Sequence, residues 1–175
     1  MPTTLNTHSQ ARIDLAQEGY RIHCIPAFSD NYLWLVDNSV SAIAIDPGDA
    51  QPVTSVLEHY GLTLDAILTT HHHPDHTGGI TKLVEHTRAM VYGPQSRHIP
   101  QVTKTLGQGD SLSVLGIDFT VIEVPGHTLD HVAYFSDASN PFGIPILFSG
   151  DTLFAGGCGR VFEGSFAQMR HSLAK

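Results

Sequence analysis

The spacing of apolar residues along this 175-residue chain changes period several times, and each change marks an element. Short runs rich in β-branched and aromatic residues come first, at positions 21–25, 32–36 and 42–45, separated by the turn-forming stretches Ser29-Asp30-Asn31 and Asp37-Asn38-Ser39. They predict three strands in an antiparallel meander. Val53, Val56, Leu57 and Tyr60 then recur at helical spacing between Pro52 and Gly61, which predicts a helix opened by proline and closed by glycine. A short buried strand over 64–69, a helix over 79–87 and a strand over 89–92, broken by Gly93-Pro94, follow from the same reasoning.

Residues 111–115 and 117–124 predict a hairpin about Gly116, positions 131–135 and 144–148 two more strands, and Phe166, Met169 and Leu173 a last helix. Residues 94–108 are weakly patterned and read as loop. The first 19 residues are polar and without sustained period, so a flexible extension is expected there, with one domain over 20–175.

Composition narrows the partners. The net charge of −8 arises from 17 acidic against 9 basic residues with no basic run, which argues against a nucleic-acid backbone. No apolar stretch has the length of a signal core or a membrane span, and Cys24 and Cys158 form no paired motif, as in a reducing compartment. A soluble, cytoplasmic monomer acting on a small molecule is expected.

The chemistry concentrates in Thr69-Thr70-His71-His72-His73-Pro74-Asp75-His76-Thr77-Gly78-Gly79, a strand-to-helix loop. His71, His73, Asp75 and His76 put four ligand-type side chains into six positions, and imidazole with carboxylate suits zinc, iron or manganese. His71 and His73 alternate to one side of an extended loop, and His72, on the other side, is read as structural. Two further strands end on such residues: His127 after Pro125-Gly126, and Asp151 after Ser149-Gly150. Each alone is an ordinary turn residue. Beside the cluster both become candidate ligands, because two metals need more donors than four residues supply.

The histidine cluster, Pro125-Gly126-His127-Thr128 and Ser149-Gly150-Asp151-Thr152-Leu153-Phe154 together resemble the metallo-β-lactamase fold superfamily. Residues 25–32 and the loop Gly157-Cys158-Gly159-Arg160-Val161-Phe162-Glu163-Gly164 are similar to its glyoxalase II (hydroxyacylglutathione hydrolase) branch. The resemblance implies an α+β fold, an αββα sandwich. It implies His71, His73 and His127 as ligands of a first divalent metal, Asp75 and His76 as ligands of a second, and Asp151 as a bridge. Zinc is the first expectation, with iron or manganese open. Asp75 would also be catalytic by orienting the nucleophile, and Arg160 and Phe162 would hold the glutathione part of the substrate.

The implied reaction is hydrolysis of S-(2-hydroxyacyl)glutathione, S-D-lactoylglutathione in methylglyoxal detoxification, to glutathione and a 2-hydroxy acid by a hydroxide held between two metals. Family members continue into a strand bearing one more histidine ligand and a mostly helical domain, so the resemblance implies a chain truncated at its C-terminus. Two alternatives follow: a persulfide dioxygenase-like enzyme with one iron, and an inactive metal-binding fragment of the hydrolase.

Overall fold

A computed structural model of the chain describes residues 12–17 and 19–175. Seven strands pair in chain order to form the larger sheet: β1 (Arg12–Gln17), β2 (Tyr20–Ala27), β3 (Asn31–Asp37), β4 (Ser41–Ile45), β5 (Thr63–Leu68), β6 (Met90–Gly93) and β7 (Lys104–Thr105). The first four run antiparallel, as the alternating runs and tight turns dictate, and the last four are parallel. Parallel neighbours need a crossover, supplied here by α1 (Ala50–Tyr60) and by the segment containing α2 (Pro74–Thr77) and α3 (Ile80–Thr87). Asp49 caps α1 by accepting from the Gln51 amide, and Gly61 closes it in the left-handed conformation at φ 66°.

The second sheet has the order β11-β10-β9-β8, built from β8 (Ser111–Val114), β9 (Ile117–Glu123), β10 (Val132–Ser136) and β11 (Ile146–Phe148). A two-stranded ribbon, β12 (Leu153–Phe154) with β13 (Gly157–Cys158), leads to α4 (Phe166–Ser172).

Alternation along the strands makes two cores. Ala42 and Ala44 of β4 face α1 and α3 with Val53, Leu57, Ile80 and Leu83, whereas Ile43 and Ile45 point between the sheets toward Phe119, Val121 and Tyr134. Small residues under the helices and large ones between the sheets set the spacing of the layers. In β5 an extra residue, Asp65, enters the pairing, since Ala42 opposes Leu64 and Ile43 opposes Ala66. That bulge is why Leu64 and Ala66, two apart, lie in opposite cores. The chain thus forms the α+β two-sheet sandwich that the family resemblance implied.

Three local features differ from the sequence expectation. Arg12–Gln17, placed in a flexible extension, forms β1 and pairs antiparallel with β2, with Leu15 packed on the intersheet core. Without it β2 would present an open edge of unpaired backbone groups. The rest of that extension, residues 1–11 and 18, lies outside the described residues. The loop over 94–108 contains the two-residue strand β7, and the histidine cluster contains α2, too short to leave a periodic signal.

Candidate metal centre

Because β4 and β5 are parallel, their C-terminal ends meet at one edge of the larger sheet, delivering Asp46 and the loop from Thr69 onward. The second sheet brings the end of β9, the start of β10 and the end of β11 to the same edge, with His127, His131 and Asp151. Two bonds tie the sheets together there: the Val132 amide donates to the Thr70 carbonyl at 2.9 Å, and the buried Tyr134 hydroxyl donates to the Thr69 carbonyl at 2.8 Å.

Three imidazoles converge on one point. His73 Nδ1 lies 3.1 Å from His71 Nε2 and 3.0 Å from His127 Nε2. Second partners fix the ring tautomers. The Thr70 hydroxyl has one proton and gives it to Asp46 Oδ2 at 2.8 Å, so it accepts from His71 Nδ1 at 3.0 Å, leaving His71 Nε2 with a lone pair. His127 Nδ1 donates to the Arg160 carbonyl at 2.7 Å, so its Nε2 also faces the others with a lone pair. Burial, foremost, and the neighbouring imidazoles push His71 far below the usual histidine range and also lower His73. With His71 and His127 donating outward through Nδ1, at most one proton lies among these three nitrogens when the rings are neutral, as metal ligands must be. A shared cation satisfies such a donor set; hydrogen bonds among the three do not.

A second donor group lies beside the first. His76 Nε2 is 3.2 Å from Asp151 Oδ1 and 3.6 Å from Asp75 Oδ2, and His76 Nδ1 is 3.1 Å from Asp46 Oδ2. Both His76 nitrogens are buried and lie off hydrogen-bonding geometry despite these short contacts. Burial alone would lower His76, but the Asp46 and Asp151 carboxylates outweigh it and hold it up to about 10. Asp151 faces both groups, with Oδ1 toward His76 and Oδ2 at 3.3 Å from His127 Nε2. The residues present fit divalent metal binding: His71, His73 and His127 form one group of converging donors, and His71, His76 and Asp151 form a second that shares His71.

Glycines let the backbone close around these ligands. A Cβ on Gly159 would stand 1.8 Å from the Asp151 carbonyl oxygen, so the ribbon segment that follows Asp151 packs directly on it. One on Gly48 would stand 1.8 Å from the Asp75 carbonyl oxygen, which is why the chain after β4 can lie against α2.

The metallo-beta-lactamase superfamily pattern matches residues 29–175, a span that includes every donor above. The chain belongs to this superfamily. A hydroxyacylglutathione hydrolase from Albidiferax ferrireducens is 52% identical over 149 residues, which is 85% of this chain and 58% of that protein. Another from Chromohalobacter salexigens is 53% identical over 154 residues, 86% of this chain and again 58% of the relative. The chain therefore spans somewhat under three fifths of the length of these relatives. Among solved structures, TTHA1623 in a di-iron-bound form superposes with a TM-score of 0.68 and 29% identity, covering 85% of this chain and 82% of the other.

Within this superfamily chain, all six residues singled out as ligands from sequence lie at one sheet edge. Arg160 and Phe162 lie at its mouth. The Phe162 ring stands edge-on to His73 and His127, with centroids 5.5 and 5.3 Å away, and the Arg160 guanidinium lies 5.2 Å from the Phe162 centroid. Three supporting residues escaped the sequence reading. Asp46 is buried, with φ 50°, and accepts from both the Thr70 amide and hydroxyl. His131 stacks on His71 with centroids 4.6 Å apart; its Nδ1 donates to the Val132 carbonyl, its Nε2 accepts the Asp151 amide at 3.0 Å, and burial lowers it to about 4, so it stays neutral. Asn31 donates to Asp75 Oδ2 at 2.7 Å. Asp46 ends a strand just as His127 and Asp151 follow strands, and that shared position was the available signal. Among the described residues, no helix is long and apolar enough to cross a membrane.

Proposed function

We propose that this centre is a binuclear metallohydrolase site acting on glutathione thioesters, with S-(2-hydroxyacyl)glutathione as the substrate class and S-D-lactoylglutathione as its representative. The observation that carries the reading is Asp151, whose two carboxylate oxygens each face a different donor group. In this reading His71, His73 and His127 hold one cation, Asp75 and His76 hold the other, and Asp151 spans both. Two divalent cations so held supply a nucleophilic hydroxide at neutral pH and polarise the thioester carbonyl. The donor chemistry suits zinc, with iron or manganese as alternatives, and the di-iron form of a structure 29% identical supports keeping iron among them.

The chain's own residues then orient the reactants. Asn31 occupies Asp75 Oδ2, which fixes the carboxylate so that its other oxygen can accept from the attacking water. Phe162 offers an apolar edge beside the histidines, and the exposed Arg160 guanidinium pairs with a glutathione carboxylate. Water adds across the thioester, and glutathione thiol and a 2-hydroxy acid leave. Similarity to relatives named hydroxyacylglutathione hydrolase supports this substrate class. The proposal extends to a role in methylglyoxal detoxification in a reducing cytoplasm.

The decisive experiment measures metal content and S-D-lactoylglutathione hydrolysis on one sample of purified chain. Two metals per chain with turnover are expected; hydrolysis that persists unchanged in metal-free His73→Ala protein would sink the reading. Oxygen uptake with glutathione persulfide in place of hydrolysis would instead favour the one-iron oxygenase. Asn31→Ala should weaken metal affinity by roughly 10- to 100-fold through loss of the Asp75 anchor, as for other partners of metal-bound side chains. Competition with a chromophoric chelator reads this out, and an unchanged affinity would free Asp75 of that dependence.

A further inference from the structure

A second cluster of titratable groups lies on the outer side of the ligand loop. His72 Nδ1 lies 3.0 and 2.9 Å from the two Asp130 oxygens, and its Nε2 lies 3.4 Å from Glu163 Oε1. Glu163 Oε2 accepts the Leu129 amide at 2.9 Å. Asp130 also accepts from the Thr128 hydroxyl, and these bonds, with those from Ser96 and His72, outweigh burial and hold it below the usual carboxylate range. These residues come from three segments: His72 from the histidine loop, Asp130 and Leu129 from the loop after His127, and Glu163 from the glycine-rich loop.

His72, Asp130 and Glu163 could be taken for a third cation site, since one donor atom from each lies within 4.8 Å of the others. The ring geometry argues otherwise. Each imidazole nitrogen already faces its own carboxylate on opposite sides of the ring, so His72 acts as a strut between Asp130 and Glu163.

We propose that Glu163 is a positioning residue that aims Arg160 and Phe162 at the mouth of the centre, with His72 as its anchor. The Arg160 guanidinium lies against the Phe162 ring, which stands edge-on to His73 and His127, while Glu163 turns to His72 and the Leu129 amide. On the histidine loop, His71 and His73 face the donors and His72 faces Glu163. Contact between the two outward residues therefore sets the rotation at which the inward ones meet, and Phe162 lands against His73. Backbone bonds from Phe162 and Glu163 to the His127 carbonyl, at 3.1 and 3.3 Å, and from Gly164 to the Gly126 carbonyl, at 3.2 Å, hold the backbone of the loop, and the Glu163 side chain braces it from the outer side.

This inference rests on the proposed hydrolase reading for its kinetic consequence. In zinc-loaded protein, Glu163→Ala should raise KM for S-D-lactoylglutathione roughly tenfold, the size of one lost charge-assisted hydrogen bond. The value of kcat and the metal content should stay as in the parent, and amide exchange over residues 157–164 should quicken. Glu163→Gln should restore most of the KM, because its amide offers an oxygen to the Leu129 N–H and an N–H to the His72 ring. An Ala variant with unchanged KM and unchanged exchange would overturn the proposal, as would a fall in metal content, which would make Glu163 a ligand. Should the parent protein not hydrolyse the thioester, the hydrolase reading fails, and the exchange comparison still decides whether Glu163 positions the loop.

Discussion

On the proposed hydrolase reading, replacing Asp151 by Ala is expected to lower kcat/KM for the thioester on the order of 10^2- to 10^3-fold or more, and to cost the protein bound metal in both donor groups. The reason is its double engagement. Its oxygens stand 3.2 Å from His76 and 3.3 Å from His127, so one carboxylate faces both groups. Burial opposes its ionisation, but the His76 contact and the neighbouring imidazoles outweigh this and keep Asp151 below the usual carboxylate range, so it is anionic at neutral pH. Truncation removes that charge from beside His76 and His127 together. The backbone should survive, because the Asp151 amide still donates to His131 and the Gly159 segment still packs on the Asp151 carbonyl. Elemental analysis and initial rates on Asp151→Ala, beside Asp151→Asn, test this. The Asn variant keeps the shape and loses the charge, so it should lose activity with partial metal retention. A variant that keeps two metals and near-parent turnover would remove Asp151 from its bridging role.

Much of the fold was legible because its elements carry strong local signals. The helix α1 announces itself through Pro52, the apolar positions at helical spacing and Gly61, and the hairpin of β8 and β9 through Gly116 between alternating runs. β1 was not legible, since its brief Ile13-Asp14-Leu15 alternation becomes a strand only through pairing with the exposed edge of β2. The ligands were legible for a related reason. They sit in runs of unusual residue types at strand ends, and a strand end is visible from sequence. Asp46, His131 and Asn31 were not, because their roles exist only across space. Asp46 reaches Thr70 over 24 positions, and Asn31 reaches Asp75 over 44. His72 was read as structural from alternation alone, and only the folded chain supplies Asp130 and Glu163 as what it braces.

Away from the centre, Asp37→Ala is expected to destabilise the fold by roughly 3 kcal/mol at pH 7, the lower part of the range for removing one partner of a buried ion pair. Asp37 ends β3 and is fully buried. Its oxygens accept from Arg21 Nε at 3.1 and 3.0 Å and from Arg21 Nη2 at 2.6 Å; His23 Nε2 lies 2.6 Å away and the Ser39 amide donates at 2.7 Å. Without the carboxylate, Arg21 retains its charge and its stacking on Tyr60, 4.4 Å from the ring centroid, with some exposure to water, so the lower part of the range applies. His23, fully buried, would lose its Asp37 partner at Nε2. Burial works against ionisation of Asp37, but the bonds from Arg21, His23 and Ser39 outweigh it and hold its pKa below the usual value. A depressed carboxylate contributes stability that is complete above its unfolded pKa, near 4 for aspartate, and fades as pH falls through its lower folded value. The gap in urea midpoint between parent and variant should therefore be wide at pH 7 and narrow below about pH 3. An equal gap at both pH values would mean that Asp37 acts through packing, and the ion pair would carry none of the difference.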